Sequence, residues 1–181
     1  MERNLSFIAL FAALIAALGL IPKIDLAFGV PITAQSLGVM LCGTVLGARR
    51  GFLAVCLFLF LVALGLPLLA GGRGGLGVFV SPTAGYLVGF PLAALATGLI
   101  VERLPARGLT LGMSLAAIVG GIGVMHLCGI VGMAVTLQKS IGEASLLALP
   151  FVPGDLVKAI VAGFITATLL RARPDAVFSR A

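Results

Sequence analysis

Charge is what this sequence has least of. Only 10% of its 181 residues are Asp, Glu, Lys or Arg, while 61% are hydrophobic. A soluble domain carries roughly 25% charged residues, and no water-facing surface can be built from so few polar side chains. The chain therefore reads as an integral membrane protein, and its net charge of +6 as arginines in loops, with no call for nucleic acid. The lone histidine, His126, has no carboxylate or second histidine at ligand spacing. An intramembrane enzyme would need HExxH, paired aspartates or a serine with a base, and none is present. The three cysteines, Cys42, Cys56 and Cys128, lie inside apolar runs, which speaks against a disulfide framework or a zinc site. The glycine cluster "GGRGGLG" lacks the GK[ST] ending of a phosphate loop. Its formal G-x-G-x-x-G, Gly72 to Gly77, follows an apolar helix in place of a strand. No cofactor, metal or catalytic set is expected. Energy for active transport must come from a gradient or another subunit.

What the chain has instead is apolar length. Six runs, roughly 5–21, 32–48, 51–70, 83–101, 109–137 and 146–170, approach the ~20 residues that cross a bilayer core. The breaks carry turn or charge signals: "PKIDLAFGVP", "ARRG", "GGRGGLG", "ERLPARG" and "QKSIGE". The first run follows a short charged start, as a signal peptide does. At 17 residues, Leu5 to Ile21, it is long for a leader and is read as a retained helix. The expectation is an all-α membrane protein: one six-helix domain over residues 1–181, without internal repeats.

Orientation follows the positive charges. With the N-terminus inside, the cytoplasmic side holds Arg3, Arg49, Arg50, Arg103, Arg107, Arg171, Arg173 and Arg180, and the outer loops only Lys23, Arg73 and Lys139. Eight against three predicts both termini in the cytoplasm and a multi-pass protein of the cell (inner) membrane.

The polar groups inside the runs carry the chemistry. In "PFVPGDLVKAIVAGF", Lys158 lies about 18 Å from the cytoplasmic end of its helix, near Leu170. Asp155 lies one turn further out on the same face. A charge at mid-helix costs about 2.5–3.5 kcal/mol, so something must compensate. One reading has Asp155 capping the helix after "VPG" while Lys158 snorkels outward. The other has the two lining a polar pocket that opens outward, at a helix that begins within the membrane.

Two more stretches belong with this one. "AGGRGGLGVFVSPTAGYLVGF" cannot be a straight helix; Ser81, Thr83 and Tyr86 supply hydroxyls there, and Phe79 and Tyr86 supply flat surface. It is either a flexible external loop or buried backbone at a ligand cavity. In "AFGVPITAQSLGV", Pro31 should start the second helix, with Thr33, Gln35 and Ser36 in its first turns. Gln35 suits an amide-like ligand or a neighbouring helix equally. His126 reads as an interhelical hydrogen bonder. In the first helix, Ala9, Ala13 and Ala17, with Ala12 and Ala16 alongside, let another helix approach closely, from this chain or from a partner.

"VPITAQSLGVMLCG", "GGRGGLGVFVSPTAGYLVGF" and "PFVPGDLVKA" together resemble the signatures of the BioY family, the biotin-binding S-component of energy-coupling factor (ECF) transporters. The likeness runs over essentially the whole chain, although the family is often written with glycine where Ser81 and Ala84 stand here. It implies an S-component fold of six transmembrane helices, with a Gly-rich outer loop between the third and fourth. It implies capture of biotin from outside, beside a transmembrane coupling subunit and two ATP-binding-cassette ATPases. Biotin recognition would involve Asp155 and Lys158, and the coupling subunit would meet Ala12, Ala13, Ala16 and Ala17. Donor–acceptor matching adds Gln35, Thr33, Ser81 and Thr83 near the ureido ring, Phe79 and Tyr86 over the apolar rings, and Arg73 for the carboxylate. Homo-oligomers, and a stand-alone transporter or channel for another small solute, remain the alternative.

Overall fold

The computed structural model describes residues 2–25, 31–105 and 109–180. Arg107 and residues 26–30, "LAFGV", lie outside the described residues. Six helical segments stand at the six apolar runs: α1 (Glu2–Leu18), α2 (Gln35–Leu46), α3 (Ala48–Ala63), α4 (Ala84–Val101), α5 (Leu109–Thr136) and α6 (Ile141–Ala172). A short antiparallel pair, β1 (Ile24–Asp25) and β2 (Pro31–Ile32), joins α1 to α2 and sets Ile24 opposite Ile32. Pro31 thus opens a strand and not the second helix; Thr33 precedes that helix, and α2 begins at Gln35. Among the described residues three helices, α4, α5 and α6, are long and apolar enough to cross a membrane, with 18, 28 and 32 residues. Leu53, Phe60, Val88, Leu111, Leu127 and Phe164 are among the large side chains turned outward. This greasy exterior belongs in lipid.

Two helix ends differ from the sequence expectation, and each has a local cause. The third run was expected to continue to residue 70, but α3 stops at Ala63. Gly65 takes a φ of +102°. Its N–H reaches the Val62 carbonyl, and the Leu66 N–H reaches Leu61. This is the 6→1 and 5→2 pairing of a Schellman motif, with Pro67 just beyond. The last run was expected from residue 146, but α6 begins at Ile141. Ser140 and Glu143 form a reciprocal capping box there, with Glu143 N–H to Ser140 Oγ at 3.2 Å and Ser140 N–H to Glu143 Oε2 at 2.9 Å.

Small residues set the packing. The first half of α5 lies along α6 and its second half along α4; α3 sits between α4 and α1, and α2 touches α1, α4 and α6. Where α4 meets α5, a Cβ on Gly132 would stand 2.4 Å from the Gly85 Cα. Only glycine admits that backbone approach. Both α2 and α5 contain a π-wound stretch, Cys42–Leu46 and Val119–Val124. Such bulges interrupt the regular ladder and often accompany functional sites.

The chain after α6 folds back beneath the bundle. Phe178 is buried and meets Phe7 edge-on at 4.8 Å, with the Arg3 and Arg50 guanidinium groups over its ring. Ser179 donates to the Thr44 carbonyl, and Arg180 donates to the carbonyls of Val101 and Leu104. These contacts gather the start of α1, the α2–α3 junction and the end of α4 at one end of the molecule.

Candidate ligand-binding site

At the opposite end of α2 lies an open cavity, a space of about 550 Å³ that includes solvent at its mouth. The polar wall comprises Thr33, Gln35, Ser36, Arg73, Thr83, Tyr86, Asp155 and Lys158, and the apolar wall Pro31, Leu69, Leu87, Phe90, Met125 and Phe151.

A 3₁₀ turn, Leu149–Phe151, breaks α6 just before Pro153, so a fresh helical turn starts at Val152. That turn carries Asp155 inward, where it is buried without capping its own helix. The Lys158 ammonium lies 2.9 Å from Asp155 Oδ1, one turn along the same face. Two elements far away in sequence complete the circuit. Ser36 Oγ donates to Asp155 Oδ1 at 2.9 Å, and His126 Nε2 stands 2.9 Å from Oδ2. Lys158 also donates to the Thr33 carbonyl at 2.6 Å and to Ser36 Oγ at 2.9 Å. The capping-and-snorkelling arrangement is therefore not what the structure contains. Lys158 turns inward, and the two charges compensate one another beside Ser36, His126 and the Thr33 carbonyl.

The glycine segment closes a second side. Gly71, Gly72 and Gly75 all have positive φ, between +70° and +80°, which glycine adopts at little cost. The chain doubles back so that Leu69 pairs with Arg73, and a 3₁₀ turn follows over Leu76–Val80. Leu69, Ala70 and Val78 are buried, so the segment is packed on the helices. It places Arg73, Thr83 and Tyr86 at the cavity. Arg73 Nε is buried and, among the described residues, has no hydrogen-bond partner. Such an orphaned donor in a cavity wall is open to an anion.

Other expected residues take different places. Phe79 packs against the core and Ser81 bonds the Val78 carbonyl and Thr83 Oγ1; neither lines the cavity. Gln35 lines it, but its amide is committed to backbone: it donates to Ile15 O and Leu68 O and accepts from Ala70 N–H. Sequence reasoning left out of the site Phe151, which closes the 3₁₀ turn four residues before Asp155, and the apolar floor of Phe90 and Met125. His126 does make an interhelical hydrogen bond, but its partner is Asp155, which no local pattern foretells. Along α1, Ala13 and Ala17 are exposed while Ala12 is buried and Ala16 half-buried.

The family model described as "BioY family" matches residues 2–175. The chain belongs to the BioY family. Among curated relatives, the "Biotin transporter BioY" of Rhodobacter capsulatus is 52% identical over 99% of this chain and 100% of its own length. The "Probable biotin transporter BioY" of Bacillus subtilis is 43% identical over 93% of this chain and 91% of its own. The crystal structure of an S-component for biotin from an ECF-type ABC transporter superposes with a TM-score of 0.88 at 28% identity, covering 94% of this chain and 92% of that one. The fold of this BioY-family chain is accordingly that of an S-component, and the cavity occurs within it.

Proposed function

We propose that the chain captures biotin from outside the cell as the substrate-binding membrane subunit of an ECF-type uptake transporter. It has no ATPase of its own in this reading. A coupling subunit and two ABC-type ATPases supply the energy. The relatives named as biotin transporters support the substrate, and the S-component likeness supports the partnership. One observation carries the reading: a carboxylate–ammonium pair and an arginine whose Nε has no partner among the described residues line the same cavity.

That arrangement matches biotin group by group. Asp155 accepts from one ureido N–H. Lys158 donates to the ureido carbonyl, exchanging one present bond as its flexible stem allows. Gln35 has no spare N–H, so it holds the wall from which Thr33 and Thr83 reach the ligand. Tyr86 and Phe151, with ring centroids 5.8 Å apart, cover the bicyclic rings. Arg73 takes the carboxylate. Phe79 and Ser81 keep the turn in shape.

In the membrane we infer six spans with both termini cytoplasmic. The end bearing Arg3, Arg50 and Arg180 then faces the cytoplasm of the cell (inner) membrane, and the cavity and Gly-rich loop face out. The coupling subunit docks on α1 at Ala13 and Ala17, with Ala12 and Ala16 shaping the helix behind them. Equilibrium binding of biotin, desthiobiotin and thiamine to the purified protein tests the substrate. Biotin should bind most tightly and thiamine, a cation lacking the ureido ring, not measurably. Absence of biotin binding by folded protein contradicts the reading.

A further inference from the structure

Counting hydrogen-bonding capacity around Asp155 shows how much of the site is already used. An ionised carboxylate offers about four lone-pair positions. Ser36 and Lys158 take the two on Oδ1, and His126 takes one on Oδ2. One position on Oδ2 is left for a ligand donor. Its direction is set by the group that occupies the other, and that group is His126. The imidazole does not line the cavity; it stands behind the wall, buried, on α5.

Its orientation is held from three sides. Asp155 can only accept, so Nε2 carries the hydrogen; in the neutral imidazole Nδ1 is then the acceptor for the Tyr86 hydroxyl, 3.3 Å away. The Tyr86 ring meets the imidazole edge-on at 5.5 Å, and the Phe151 ring lies 6.2 Å away. Tyr86 is itself packed on Gly129 of the same helix as His126, where a Cβ would stand 2.4 Å from Cζ. The relay Tyr86–His126–Asp155 therefore joins two cavity-lining residues through one that never touches the cavity.

We propose that His126 is a positioning residue for ligand recognition: its Nε2–H fixes Asp155 so that the remaining Oδ2 lone pair faces a ureido N–H. This rests on the biotin reading above. Without that bond the carboxylate can swing towards Lys158 and Ser36 and present the wrong edge. A purely structural histidine would matter for folding and not for the direction of this lone pair.

The test uses the full-length purified protein. Biotin dissociation constants are measured for wild type, His126→Gln, His126→Phe, Asp155→Asn and the double variant His126→Phe/Asp155→Asn. His126→Gln, which keeps an N–H at the Nε2 position, should stay within about threefold of wild type. His126→Phe should bind about 10- to 100-fold more weakly, the range for a lost charge-assisted hydrogen bond. Within the Asp155→Asn background the phenylalanine should cost nothing further. Equal losses for Gln and Phe, no loss for Phe, or full additivity would each overturn the proposal. Because His126 is the only histidine, nitrogen NMR of labelled wild-type protein reads it without any variant. The Nε2–H tautomer is expected, with its resonance moving on addition of biotin. The Nδ1–H tautomer, or an unmoved resonance in protein that binds biotin, would overturn it. Failure of wild type to bind biotin would instead strike the functional reading and leave the tautomer measurement standing.

Discussion

The Gln35 amide donates to the Leu68 carbonyl at 3.0 Å and so ties the first turn of α2 to the chain that leaves α3. A second hydrogen goes to Ile15 O, and the amide oxygen receives the Ala70 N–H. One side chain thereby satisfies three backbone groups from two other segments. Buried backbone groups left unpaired cost about 1–3 kcal/mol each. Gln35→Ala should lower the thermal unfolding midpoint clearly, with biotin affinity falling because the Arg73 loop loosens. Differential scanning fluorimetry with and without biotin checks both. An unchanged midpoint would contradict the clamp.

Along α1 the two sides of the alanine stripe should behave differently. Ala13 and Ala17 are exposed, so Ala13→Leu and Ala17→Leu should leave biotin binding by the isolated protein unchanged. The same changes should abolish co-purification with a coupling subunit. Ala12 is only 3% exposed, so Ala12→Leu overpacks the core and should destabilise the protein by about 1–3 kcal/mol. Pull-down and unfolding measurements separate the two effects.

Arg73 should act on one end of the ligand. Wild type should discriminate biotin from its methyl ester, which lacks the carboxylate charge, and Arg73→Ala should lose most of that discrimination. A charge-assisted hydrogen bond contributes about 1.5–3 kcal/mol, so the loss for biotin should be tenfold or more, while the ester should change little. Equal losses for both ligands would place the carboxylate elsewhere.

Lys158 neutralises Asp155 and holds both Thr33 O and Ser36 Oγ. Lys158→Ala leaves a buried carboxylate without its counter-ion, which costs about 3–5 kcal/mol when a buried pair is broken. Both the unfolding midpoint and biotin affinity should fall. Replacing both charges, Asp155→Asn with Lys158→Met, should recover stability but not binding. Recovery of binding by the double variant would show that the pair serves folding alone.

The sequence made some of this legible because some signals are local. Scarce charge exposed Asp155 and Lys158, and spacing of three put them on one helical face. The six apolar runs matched six helical segments, and the two displaced ends have local causes, in Gly65 and in the Ser140–Glu143 box. Other features depend on distant partners. Gln35 could serve ligand or backbone until the positions of Leu68 and Ala70 were known. Positive φ at Gly71, Gly72 and Gly75 turns the glycine segment so that Arg73, Thr83 and Tyr86 face the cavity while Phe79 and Ser81 do not. Nothing in the pattern joins His126 to Asp155, 29 residues on; only the packing of α5 beside α6 does.

The most direct test of the account compares biotin binding by wild type and Asp155→Asn at equilibrium, on protein whose folded state is verified by its unfolding midpoint. The amide keeps the shape of the side chain but replaces one acceptor oxygen with a donor. Affinity should fall by at least about 1–3 kcal/mol, roughly 5- to 150-fold. Equal dissociation constants for the two proteins would mean that biotin does not use this carboxylate.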